Sequence, residues 1–133
     1  MNLAFHQRTR TELPPDELTE AIEQFNRGDY LPCCRTLQFL SLHEPRQERN
    51  LYQGIIQIAT GLYHWQEGDF RGSVRSLKTG MQLVQRVAPV CLEVDVEHLV
   101  RQTDQVIEQL EKLGLEHMES LDQALIPKIM LKI

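Results

Sequence analysis

The chain has 133 residues, with 14 Lys and Arg against 19 Asp and Glu, a formal net charge of −5. That length buries a core without disulfide or metal staples, and the acidic balance argues against nucleic acid and against an anionic membrane surface, both of which need a basic patch. A hydrophobic share of 41% with 25% charged residues excludes a disordered chain.

Helical spacing dominates and strand signals are almost absent. The first expected helix runs from about Pro15 to Arg27. It opens on Pro-Pro-Asp-Glu, which suits a positive helix N-terminus, and it carries Leu18, Ala21, Ile22 and Phe25 as one apolar stripe. Gly28 stops it. Asp29 is the expected cap of a second helix, Tyr30 to Leu42, where Pro32 is tolerable because it falls in the first turn. Pro45 closes the connection that follows. A third helix is expected over about Gln47 to Glu67, ended by Gly68. Asp69 then caps a fourth, about Phe70 to Val87, with Phe70, Val74, Leu77, Met81 and Val84 facing the core and Arg71, Arg75 and Lys78 on a solvated face. Pro89 ends it. Asp95 caps a fifth helix to Leu113, carrying Val96, Leu99, Val106, Leu110 and Leu113, and Gly114 stops it. One more short helix fits before Pro127. The tail from Ile126 to Ile133 is apolar apart from Lys128 and Lys132 and is expected to be extended.

The expected architecture is all-α: one domain over residues 1–133, a small bundle of about five helices in antiparallel hairpins with no sheet. Phe25-Asn-Arg-Gly-Asp-Tyr30 is echoed by Trp65-Gln-Glu-Gly-Asp-Phe70. Both copies read as the same turn design, close to that of tetratricopeptide repeats, with a divergent repeat pair as the alternative.

Leu51 to Gln66 holds no charged residue over 16 positions, but it is short for a membrane span and carries glutamines and a histidine, so it reads as a buried helix. The first ten residues, His6 among them, lack the apolar core of a signal peptide. Cys33, Cys34 and Cys91 form no even framework and no CxxC, and read as reduced thiols in a cytoplasm. His6, His43 and His117 fall near ends or connections and read as exposed. Cys91 and His98 are seven apart, but a break at Val94-Asp95 separates them.

On the third helix Gln53, Gln57, Thr60 and His64 fall within an arc of roughly 60°. Gly54 and Gly61 lie beside them, each costing about 1 kcal/mol against alanine, which close approach of another helix offsets. Buried amides and imidazoles need hydrogen-bond partners. The stripe therefore faces either an internal polar network or a ligand cleft, expected opposite the second helix near Cys34. An open cleft would favour a small molecule, a sealed stripe an interaction role.

Phe25-Asn26-x-Gly28-x-Tyr30, then Tyr52-Gln53-Gly54-Ile55-Ile56-Gln57-Ile58-Ala59 and Tyr63-His64, then a Gly-Asp-x-x-Gly turn at Gly68 to Gly72, together resemble the domain-of-unknown-function family 309, most of all its cyanobacterial members. The resemblance covers about residues 18–83 and implies a small all-helical fold. It also implies an acidic and histidine cluster on the second helix, of the form Glu-x-His-Glu-x-Leu-Glu followed by a tryptophan. Such groups can converge as metal ligands or as an acid–base pair. Here those positions read Pro32, Cys34, Arg35, Gln38 and Ser41. A catalytic site of the family would therefore be lost. What remains is Phe25, Asn26, Gly28, Tyr30 and Gly54 as structural positions, with Gln53, Gln57, His64 and Cys34 as a candidate cleft or network.

Two functions follow as expectations. The first is a non-catalytic interaction module, cytoplasmic, with a protein partner or a second copy and with no metal or cofactor. The second is a small-molecule binder or a metal-dependent hydrolase-like enzyme using the Gln53, Gln57 and His64 cleft.

Overall fold

The computed structural model describes residues 15–132; His6, the N-terminal ten residues and Ile133 lie outside them. Five helices follow in order: α1 Asp16–Arg27, α2 Tyr30–Leu42, α3 Arg49–Gln66, α4 Phe70–Gln85 and α5 Val96–His117. Each neighbouring pair along the chain packs together, with α3 held between α2 and α4. This is the all-α arrangement of hairpins that the periodicity predicts. The four apolar positions of α1 are all buried, as expected.

The two echoed turns share one backbone geometry. Gly28 and Gly68 adopt φ values of 86° and 79°, the left-handed region that glycine enters without steric cost. The Asp29 amide N–H then reaches back to the Gln24 carbonyl (2.9 Å), and Asp69 N–H to the His64 carbonyl (2.8 Å). Their caps differ. Asp69 accepts the Gly72 N–H at 2.9 Å, and Asp95 accepts the His98 N–H at 3.1 Å. Asp29 caps nothing and instead meets Arg27 at 3.1 Å. The reason is Pro32: it occupies the position whose N–H an N-cap side chain seeks, and proline has none.

The glycines of α3 meet α4 directly. A Cβ on Gly54 would strike the Val84 side chain and lie 2.9 Å from the Val84 backbone nitrogen. One on Gly61 would lie 2.7 Å from Leu77. One on Gly80 would stand 2.6 Å from the Gly54 carbonyl. The deepest face of α4 is therefore Ser73, Leu77, Gly80 and Val84, a small-residue seam. Phe70, Val74 and Met81 are only partly buried, which turns the expected stripe towards the smaller residues.

Two expectations need correction. The chain between α4 and α5 forms a two-stranded antiparallel hairpin, Val90–Cys91 with Val94–Asp95, so a small sheet does exist. Cys91 stands in it and shares no helix with His98. The second correction concerns α5, which bends at Gly114 (φ 70°, ψ −179°) and adds one further turn to His117. Two short 3-10 turns, Met118–Ser120 and Gln123–Leu125, replace the one expected helix.

The extended segment after Pro127 is stitched to the bundle. Leu131 bridges Val94, the Asp95 N–H donates to the Met130 carbonyl (2.8 Å) and the Lys132 N–H to the Glu93 carbonyl (2.7 Å). Asn26, at the end of α1, grips the Ile129 backbone on both sides. Its Oδ1 accepts the Ile129 N–H at 2.7 Å and its Nδ2 donates to the Ile129 carbonyl at 3.0 Å. Ile129 is buried, while Met130 and Leu131 stay exposed. Trp65 makes a similar long-range tie, its indole N–H donating to the Met118 carbonyl at 2.7 Å.

Candidate functional site

The outward stripe of α3 forms the floor of an open groove of about 550 Å³. Gln53, Ile56 and Gln57 supply that floor, and Arg49 stands at its start. The α2 wall presents Gln38, Ser41 and Leu42, and Leu83 of α4 closes the other side. Both floor amides are half-buried rather than sealed in the core. Arg49 donates through Nε to the Ser41 hydroxyl at 3.4 Å, which ties the two walls at that end.

Cys34 and Thr60 lie between the same two helices. The thiol sits 3.6 Å from the Ile56 carbonyl and 3.6 Å from the Thr60 hydroxyl, which itself donates to that carbonyl at 2.7 Å. Burial pushes the Cys34 thiol up from its ordinary value, with the Thr60 bond and the Arg35 charge opposing. Burial, with the neighbouring Cys34, pushes Cys33 up to about 12. Neither thiol is the activated thiolate that nucleophilic chemistry requires.

His64 belongs to the far end of the stripe. Its Nδ1 lies 3.4 Å from the Asp69 carboxylate, the residue that caps α4. The structure thus brings Gln53 and Gln57 together in the groove with α2. It places Cys34 beside Thr60, and it turns His64 towards the α3–α4 turn. No hydrogen bond joins Cys34 to His64 among the described residues. Seven residues of helix between Gln57 and His64 span about 10 Å, so a shared face does not make a shared site.

Of the positions where the family resemblance implies an acidic and histidine cluster followed by a tryptophan, Gln38 (an acidic position) and Ser41 (the tryptophan position) line the groove, and Cys34 (the histidine position) lies between α2 and α3 beside Thr60. Among the described residues no group of three or more His, Cys, Asp or Glu is placed to hold a metal ion. Arg49, Leu42 and Leu83 also line the groove, outside the stripe that the helical spacing marks. The signal for Arg49 was present: it is the sole charged residue of α3.

Fold and site together define a bundle of helical hairpins with an open groove across α2, α3 and α4 that has no carboxylate among its described lining residues. The profile of the family described as Domain of unknown function (DUF309) matches residues 18–76, which bears out the resemblance read from the motifs. That stretch runs from α1 into the first half of α4 and contains both echoed turns and the floor of the groove. No curated protein and no solved structure matches the chain. Among the described residues no helix is long and apolar enough to cross a membrane.

Proposed function

We propose that the protein is a non-catalytic interaction module of the cytoplasm, of the cyanobacterial type that its motif wording resembles. Its recognition surface is the groove across α2, α3 and α4. One observation carries the reading: the groove is open to solvent, and among the described residues that line it there is no carboxylate, imidazole or thiol. Openness alone would favour a small ligand. Yet small ligands bind where a pocket buries most of their surface. An open trough with an amide floor and aliphatic walls suits a polypeptide. Main-chain groups can pair with Gln38, Gln53 and Gln57 while a side chain packs on Leu42, Ile56 and Leu83.

The test is affinity capture from the native cell with mass spectrometry, comparing the chain with Leu42→Asp and with Leu115→Asp. Both leucines are exposed, at 78% and 63%, so neither change disturbs the core. A partner lost with Leu42→Asp and kept with Leu115→Asp supports the reading. Recovery that is indifferent to Leu42 refutes the groove. Turnover of a substrate, abolished by changing His64, would overturn the non-catalytic role.

A further inference from the structure

Charge is sorted between the helices in a way the net value hides. Helices α2, α3 and α4 contain Arg35, Arg49, Arg71, Arg75 and Lys78, and not one Asp or Glu. The carboxylates gather on α1 (Asp16, Glu17, Glu20 and Glu23) and on α5 (Glu97, Asp104, Glu108, Glu111 and Glu116). The three helices that build the groove are therefore the basic part of an acidic protein.

Those cations are largely unspent. Lys78 pairs with Glu111 of α5 at 3.0 Å. Arg35, Arg49, Arg71 and Arg75 are exposed, and none of them pairs with a carboxylate among the described residues. Of the turn carboxylates, Glu44 is buried beneath Arg46 at 2.8 Å and Asp69 meets His64, while Glu48, directly before Arg49, stands outside the groove lining. Arg49 lines the groove itself, its Nε bonded to the uncharged Ser41 hydroxyl, which leaves the guanidinium charge in place.

Resting on the interaction reading above, we infer that the groove takes a short acidic polypeptide segment with an aliphatic anchor. From Arg49 to Gln57 the floor runs about 12 Å, room for about four extended residues. The anchor packs between Leu42, Ile56 and Leu83, and a carboxylate of the segment takes the free guanidinium fork of Arg49. Arg35 and Arg75, exposed on the flanking helices, steer a negative segment to the floor. Electrostatic complementarity selects the sign of the partner; the amides and aliphatic walls select a polypeptide over another polyanion.

A random dodecapeptide phage library, panned on the full chain and counter-selected on Leu42→Asp, tests this. The enriched sequences should carry net negative charge and a Leu, Ile or Val. Synthesised peptides from that pool should bind Arg49→Gln roughly tenfold more weakly, the loss of one charge-assisted contact, and should weaken as salt rises. Circular dichroism of Arg49→Gln, a change at an exposed residue, should match that of the unaltered chain. Neutral or basic enriched sequences, no enrichment at all, or indifference to Arg49→Gln would overturn the inference. So would a single-stranded oligonucleotide that competes as well as the peptide, or self-association of the chain abolished by Leu42→Asp. A native partner that depends on Leu42 but docks through a neutral segment would sink this inference and leave the interaction reading standing.

Discussion

Changing Asn26 to alanine removes both hydrogen bonds that hold Ile129 to the end of α1. Each such bond contributes about 1 kcal/mol net, and the Ile129 N–H and carbonyl then lose their partners at a part-buried place. The sum, about 2–4 kcal/mol, has an upper bound set by the structure. If the segment peels away instead, the loss is the burial of Ile129, about 1.5–3 kcal/mol, plus the bridge of Leu131 to Val94. The expected destabilisation is therefore about 2–3 kcal/mol, read from urea unfolding followed by circular dichroism. Hydrogen exchange distinguishes the two routes: the Ile129 amide should lose protection while amides in the middle of α3 change only with global stability. Unchanged stability together with a protected Ile129 amide would show that Asn26 does not hold the segment. Truncation after Ala124 should destabilise more than Asn26→Ala, because it removes Ile126, Pro127 and Ile129 as well.

Other substitutions follow the same packing logic. Gly80→Ala should destabilise by about 1–3 kcal/mol in thermal or urea melts, since its Cβ meets the Gly54 carbonyl and Ile58 backbone, and a propensity gain of about 1 kcal/mol only partly offsets that. Ser73→Ala should be neutral or stabilising by about 1 kcal/mol, because the Ser73 hydroxyl is fully buried without a hydrogen-bond partner among the described residues; a clear loss of stability would show that the hydroxyl has a partner in solution. Burial raises Cys33 and Tyr30 each to about 12, so the folded state holds those protons more tightly than the unfolded chain does. Stability should then be full below about pH 9 and fall as pH rises towards 12. A denaturation midpoint that is flat across that range would contradict the burial of both groups.

The helices were legible because their signals are local. Asp69 and Asp95 cap where their spacing predicts, and the stripe of α1 is buried at all four positions. The failures are equally local in cause. Asp29 looks like a cap until the missing N–H of Pro32 is considered. The hairpin at residues 90–95 has strands of two residues, too short for alternation, and turns on Leu92 and Glu93, which carry no turn signature. The close meeting of α3 with α4 could be anticipated from Gly54 and Gly61, but Gly80 becomes meaningful only beside Gly54. In the site, Gln53 and Gln57 were legible as one face. The separation of His64 was not, because an arc measured around a helix ignores distance along it. The partner of Asn26 lies 103 residues away, where no pattern reading reaches.

That distant partner bears on what counts as a unit in this protein. The segment that matches the family profile ends at residue 76, inside α4, whereas Gly54 seats against Val84 and Gly80, and Asn26 is satisfied only by Ile129. Excised at those bounds, residues 18–76 would lose Leu77, Gly80 and Val84, three of the four seam residues of α4, and leave the Asn26 amide without its protein partners. The stretch that carries the shared motifs is therefore not an autonomous folding unit: transplanted alone it would bring the groove floor without the helix and strand that hold it level.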